Sequence, residues 1–245
     1  MFISGFKLLY TLAVSIADNL ACIRERIARS AARVGRRPEE ITIVAVSKTF
    51  PVSAIREAHA AGLRHFGENR VQEWEGKQPL LADLAATWHL VGHLQSNKVS
   101  RAVSLFHTID SVDRLPLAEK LARTRQEPVG AQQATPLQVL IEVRLAPEDT
   151  KSGVIESGTP ALAEAIVALP QLDLRGLMAI PPFTENPEDA RPYFRRLRQL
   201  RDSLCRSLGR TFPELSMGMS HDFEVAIAEG ATQVRLGTAI FGSRM

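Results

Sequence analysis

Eight runs of apolar and β-branched residues alternate with helical patterns along nearly the whole 245-residue chain. The runs fall near 41–48, 64–68, 87–94, 105–110, 137–145, 172–180, 214–219 and 233–241. Helical spacing occupies 53–62, 70–84, 96–102, 113–126, 157–169, 187–208 and 221–229 between them. Strands separated by helices must lie parallel, because a parallel neighbour is reached only through a crossover. Eight such strands in about 200 residues suit a closed (β/α)₈ TIM barrel, an α/β fold. An open doubly wound sheet is the competing architecture. The glycines of "GLRHFGEN" and "RLGTAIFG" make no GxGxxG after the first strand, which disfavours a dinucleotide fold.

An additional helix precedes the barrel. Ile16, Leu20, Ile23, Ile27 and Val34 recur at helical spacing, Ser15 with Asp18 forms a capping box, and Gly35 stands where a left-handed terminal residue is wanted. Asn186, Pro187, Glu188 and Asp189 likewise give a cap, an N1 proline and first-turn acids to the helix carrying Phe194, Leu197, Leu204 and Leu208. No linker rich in Pro, Gly or Ser divides the chain. The expectation is one domain over residues 15–245 behind an extension at 1–14, with the longest polar interruption at 127–136.

The extension "MFISGFKLLYTLAV" lacks a basic start and an A-x-A site, so it reads as a short addition or an early start codon rather than an export signal. No segment has the apolar length needed to span a membrane. Cys22 and Cys205 stand far apart without a CxxC, which offers neither a disulfide framework nor a metal site and fits a reducing compartment. The expected location is cytoplasmic. A net charge of +3, from 30 basic and 27 acidic residues, is spread along the chain and argues against nucleic acid as a partner. The run "RRLRQLRD" at 195–202 reads as the solvated face of a helix.

On a barrel, function sits at the C-terminal strand ends. Read in order, these ends are polar and rich in glycine, whereas the strand starts are plainer. The first run, "ITIVAVSKTFP", ends on Lys48 just before a turn proline. That lysine is either a solvated strand end or an amine whose lost hydration favours the nucleophilic neutral form, as a Schiff base requires. Ser220 ends the seventh strand before a helix, and Gly237 and Thr238 follow the eighth. A capping serine and a turn glycine explain them separately; a phosphate cradle explains them together. Arg235, two residues before Gly237, reads either as a buried ion-pair partner or as a group facing a ligand's ring nitrogen. Asn69, His89, His93 and Asp110 are further hydrogen-bonding groups around the mouth. None has the spacing of HxH or HExxH, so a metal site is rejected, and neither GxSxG nor GK[ST] occurs.

The segments "VAVSKTFP", "HFGENRVQE", "WHLVGHLQSNKV", "FHTIDSVDRLPLAEKL", "LRGLMAIPP" and "LSMGMSHDFEVAIAEGATQVRLGTAIFGSR" resemble the pyridoxal phosphate homeostasis proteins. That family is similar in fold to the N-terminal barrel of alanine racemase, and the resemblance runs from about residue 15 to 244. It implies that Lys48 carries pyridoxal 5'-phosphate (PLP) as an internal aldimine. It further implies that Ser220, Gly237 and Thr238 hold the phosphate, that Asn69 lies near the cofactor, and that Arg235 faces the pyridine nitrogen. Three positions depart from the usual motifs: Arg70 replaces a tyrosine, His93 a proline, and His221 an acidic residue that Asp222 follows.

The resemblance implies an intracellular PLP-binding protein with little or no turnover, apo PLP-dependent enzymes being the recipients. The alternative is a PLP-dependent amino-acid racemase. Racemase-type relatives carry a second β-domain that completes the site, and this chain ends four residues after Phe241, which favours binding over catalysis and a monomer over a dimer.

Overall fold

The computed structural model describes residues 15–126, 135–146 and 152–242; the extension at 1–14 and most of the loop expected at 127–136 lie outside them. Among the described residues nine strands form one parallel sheet: β1 (Thr42–Val46), β2 (His65–Glu68), β3 (Thr87–Leu90), β4 (Thr108–Val112), β5 (Leu137–Arg144), β6 (Val154–Ile155), β7 (Leu172–Met178), β8 (Glu214–Met219) and β9 (Gln233–Leu236). The order is β4-β3-β2-β1-β9-β8-β7-β5-β6, and β4 also pairs with β5, which closes the sheet. The two-residue β6 hangs on the end of β5 and is no stave, so the barrel is built from the eight strands that the sequence predicts.

The helices are α1 (Ile16–Ala32), α2 (Val52–Ala60), α3 (Val71–Lys77), α4 (Val99–Leu105), α5 (Leu115–Gln126), α6 (Thr159–Val167), α7 (Arg191–Leu208), α8 (Phe223–Ala228) and α9 (Thr238–Phe241). Ser15 and Asp18 form the expected reciprocal cap on α1. Leu20, Ile23 and Ile27 are buried on it, each stabilising the fold by about 1.5–3 kcal/mol relative to exposure. The Asn19 amide donates to the Ile240 carbonyl at 3.0 Å, and Arg26 pairs with Glu224 while covering the Phe223 ring. The additional helix is thereby tied to α8 and α9, beside the last strands.

Four element ends differ from the periodicity. Val34 is 42% exposed, because α1 ends at Ala32 and Gly35 turns the chain with φ +68°. The helix expected over 70–84 stops at Lys77 and tightens into a 3₁₀ turn over Gln78–Leu80, where Pro79 has no amide to continue it. Leu105 closes α4, and the fourth strand starts only at Thr108. The last strand ends at Leu236 rather than 241, since Gly237 (ψ −81°) turns the backbone into the short α9.

Register decides which side chains enter the barrel. Val44 pairs with both His65 and Arg235, Gly67 with His89, His89 with Thr108, Glu142 with Met178, and Met178 with Ser216. Paired side chains of parallel strands point to the same side, so the barrel's interior is unusually polar. The apolar core lies outside it, between sheet and helices, where Trp74 stacks on Trp88 with ring centroids 3.8 Å apart.

Candidate functional site

Lys48 follows β1 on the inward register of Val44 and Val46 and is half-buried at the C-terminal mouth. Its strand neighbour on one side is β9, with Ala45 opposite Leu236, so the Lys48 turn and Gly237 leave adjacent staves. On the other side is β2, whose end carries Asn69. Lys48, Asn69 and Gly237 therefore crowd one arc of the rim because three neighbouring strands end there.

Ser220 is brought to the same arc. Its Oγ accepts a hydrogen bond from the Ala239 amide at 3.2 Å, which ties the end of β8 to the start of α9. A hydroxyl that accepts in this way keeps its own proton to donate, which suits an oxyanion. Gly237 has an ordinary φ of −111°, and a Cβ there would meet the Val46 carbonyl at 3.4 Å and the Val46 Cβ at 3.9 Å, both ordinary contacts. Packing against the protein does not demand glycine, so the bare backbone leaves room for a ligand to approach. Gly218 differs: with φ +89° and a Cβ only 2.5 Å from that of Ala226, it is required by the fold itself. Gly92 is similarly constrained, since its Cβ would lie 2.3 Å from the Asn69 carbonyl.

Arg235 is buried inside the barrel. Nη1 donates to the Ser216 carbonyl at 2.6 Å and to Ser216 Oγ at 2.8 Å, and Nη2 to the Ala179 carbonyl at 2.8 Å. Among the described residues it forms no ion pair; its bonds go to neutral acceptors. Burial lowers its pKa from the ordinary arginine value, opposed by the charges of Asp110, Glu142 and Asp222. The guanidinium is thus fixed at three points, with its orientation set by β7 and β8.

His89 and Asp110 are not rim groups facing the mouth. They are buried in the barrel, where His89 Nδ1 lies 3.1 Å from Asp110 Oδ2 and His89 Nε2 lies 3.1 Å from His65 Nδ1. Thr108 Oγ1 donates to the other Asp110 oxygen. Burial lowers the pKa of His65, and the neighbouring His89 adds to it. This chain of bonds satisfies polar groups the barrel has taken out of water. His93 is exposed, with Nδ1 3.5 Å from Asp113 Oδ2. Arg70 and His93 line one rim cleft of about 660 Å³ together with Lys98, so two of the three motif departures meet there. His221 turns outward to the Glu185 carbonyl at 3.1 Å, while Asp222 Oδ1 accepts from the Met219 amide at 2.6 Å.

Periodicity and motifs did not disclose four residues. Glu142, on the inward register of β5, lines a cavity of about 340 Å³ at the mouth alongside Asn69 and Ile180. It is 7% exposed, and its Oε2 has no hydrogen-bond partner among the described residues. Burial pushes its pKa up to about 7, Asp113 adding to the rise and Arg235 opposing it. Glu68, Glu73 and Lys77 form a charged cluster behind Lys48, in which Lys77 Nζ lies 2.9 Å from Glu68 Oε1 and 2.7 Å from Glu73 Oε1. Burial raises the Glu68 pKa, with Lys77 opposing. The available signal was the Glu73–Lys77 spacing of four on one helix, which reads as a surface pair.

The mouth therefore offers an amine, a hydroxyl donor beside an open backbone, a fixed guanidinium and an unpartnered buried carboxyl. That donor set fits a phosphorylated ring aldehyde. Residues 19–245 match the family model of the alanine racemase N-terminal domain. A pyridoxal phosphate homeostasis protein of Pseudomonas aeruginosa is 49% identical over 230 residues, covering 94% of this chain and 96% of the relative. The chain belongs to the pyridoxal phosphate homeostasis protein family. A relative of that name in Escherichia coli K12 is 45% identical over 94% of this chain and 97% of its own. Among solved structures, PipY of Synechococcus elongatus with PLP bound is 40% identical with a TM-score of 0.82, covering 93% of this chain and 100% of PipY. Alanine racemase from Corynebacterium glutamicum shares the fold, with a TM-score of 0.68 at 17% identity; this chain spans 62% of it.

Proposed function

We propose that the protein binds pyridoxal 5'-phosphate at the mouth of its barrel and takes part in the homeostasis of that cofactor. Lys48 holds it covalently, Ser220, Gly237 and Thr238 take its phosphate, Arg235 faces the ring nitrogen, and Asn69 lies alongside. The observation that carries this reading is the Ser220–Ala239 bond of 3.2 Å, which ties the end of β8 to the start of α9 beside the strand that leads to Lys48. The names of the relatives and the PLP bound to PipY support it.

When bound, the cofactor supplies an aldehyde that an amine captures and a ring that withdraws electrons. The chain's residues favour holding over turnover. Arg235 is an obligate donor held rigidly by Ser216 and Ala179, so, unlike a carboxylate, it cannot accept a hydrogen bond from a protonated ring nitrogen and strengthen that withdrawal. We read the protein as a cytoplasmic monomer that passes the cofactor to apo PLP-dependent enzymes. Among the described residues, no helix is long and apolar enough to cross a membrane.

The deciding experiment is the absorbance spectrum of the purified protein mixed with PLP, before and after borohydride reduction, followed by peptide mapping. A reduced adduct on Lys48 is expected. A spectrum of free PLP, with no adduct on any lysine, would sink the proposal.

A further inference from the structure

Lys48 occupies the second position of a tight turn, Ser47 to Phe50, closed by the Phe50 amide donating to the Ser47 carbonyl at 3.1 Å. The third position is Thr49, with φ +69°, and it is the one non-glycine residue of positive φ among those described. Turns of this shape call for glycine or asparagine there, because a β-branched side chain is strained in the left-handed region. Such a conformation persists only where its surroundings over-determine it.

The charged cluster from β2 and α3 supplies that constraint. Ser47 Oγ donates to Glu68 Oε1 at 2.8 Å, Lys77 Nζ donates to the Ser47 carbonyl at 2.9 Å, and Glu73 Oε1 accepts the Thr49 amide at 2.5 Å. The bonds grip the residues on both sides of Lys48. Lys77 has three protons and three acceptors, namely the Ser47 carbonyl, Glu68 and Glu73, so it is fully used as the hub. A buried ion cluster is poor evidence of stability, since well-packed apolar residues commonly do as well; fixing one geometry is its better-attested use.

We infer that Glu68, Glu73 and Lys77 are positioning residues that lock the Lys48 turn in its strained form and so set where the amine enters the barrel mouth. The inference rests on Lys48 being the cofactor amine, and its test separates the two ideas.

Lys77→Met keeps the aliphatic length and removes all three donors. Three quantities are followed in the full-length apo protein: the rate of PLP capture by absorbance, labelling of Lys48 by an amine-directed reagent, and the thermal midpoint. Lys77→Met is expected to capture PLP on the order of tenfold more slowly and to label at a changed rate, with Lys77→Arg restoring part of both. Adding Thr49→Gly to Lys77→Met should restore capture, because glycine takes positive φ without a clamp. Wild-type rates in Lys77→Met would overturn the inference, as would a folded double variant no faster than the single one. If Lys77→Met fails to fold, Glu73→Ala with and without Thr49→Gly repeats the test from the more exposed end of the cluster. A wild-type protein that takes no PLP would refute the proposed function, while Lys48 labelling would still decide the role of the clamp.

Discussion

The Ser220 hydroxyl receives the Ala239 amide proton at 3.2 Å, so the serine after β8 and the turn after β9 act as one unit. If that unit holds the phosphate, Ser220→Ala removes a hydrogen bond to a charged group. The expected loss is about 1.5–3 kcal/mol, or roughly tenfold to hundredfold in affinity. Gly237→Ala should also weaken retention while leaving the thermal midpoint nearly unchanged, because its Cβ meets the protein only at ordinary contact distance. Dissociation constants equal to wild type in both variants would place the phosphate elsewhere.

Lys48→Ala should abolish the borohydride-stable adduct. The side chain is half-buried at the rim rather than part of the apolar core, so stability should change by about 1 kcal/mol or less. Mass mapping of the reduced wild-type protein checks the assignment; an adduct confined to Lys98, in the neighbouring cleft, would contradict it.

Glu142 gives the protein a pH dependence of definite sign. Its pKa is raised from 4.5 to about 7 in the folded state, so the folded protein holds this proton more tightly than the unfolded chain does. Its stabilising contribution is complete below about pH 4.5 and is lost as pH rises through about 7. The loss amounts to something on the order of 3 kcal/mol. Glu142→Gln does not titrate, so its advantage over wild type in denaturant unfolding should grow between about pH 5 and pH 7 and level off above that. A constant difference across that range would show that Glu142 is not the titrating group.

Gly92→Ala should destabilise the rim. The new methyl would stand 2.3 Å from the Asn69 carbonyl, a backbone atom that moves only with its strand end. The expected cost is about 1–3 kcal/mol. Cofactor retention should fall with it, since displacing Asn69 disturbs the arc that also carries Lys48. Unaltered thermal unfolding would refute the close packing of the two loops.

Amino-acid turnover should be negligible even in the loaded protein. Racemisation needs a strong electron sink and an acid–base group on each face of the substrate, and such a group contributes about 10² to 10⁴ in rate. If Arg235 faces the ring nitrogen as proposed, it weakens the first requirement. Incubating single enantiomers of several amino acids with loaded protein and following chirality is the check. Sustained racemisation that disappears in Lys48→Ala would make the protein an enzyme.

The sequence by itself determined a parallel sheet of eight strands with crossover helices, because alternation of buried strands and amphipathic helices is a local pattern, whereas the β4–β5 pairing decided that the sheet closes into a barrel. It determined the cap at Ser15 and Asp18 and the left-handed Gly35 for the same reason: the interacting groups lie within a few residues. It also placed Lys48, Gly237 and Ser220 at strand ends, and their shared arc followed once the first and last strands were paired. Only the tertiary structure decided where the other polar groups point. Glu73 and Lys77 carry the spacing of a solvated helical pair, yet the orientation of α3 turns both onto the peptide groups around Lys48. His89 and Asp110 carry no mark of burial, and register alone sends them into the barrel to bond each other. Arg235 found carbonyls of β8 and the β7 end instead of a carboxylate, because the strands beside it were set by closure of the sheet. Periodicity reports which face of an element is apolar, whereas the partner of a polar side chain depends on contacts many residues away that exist only after the barrel has closed.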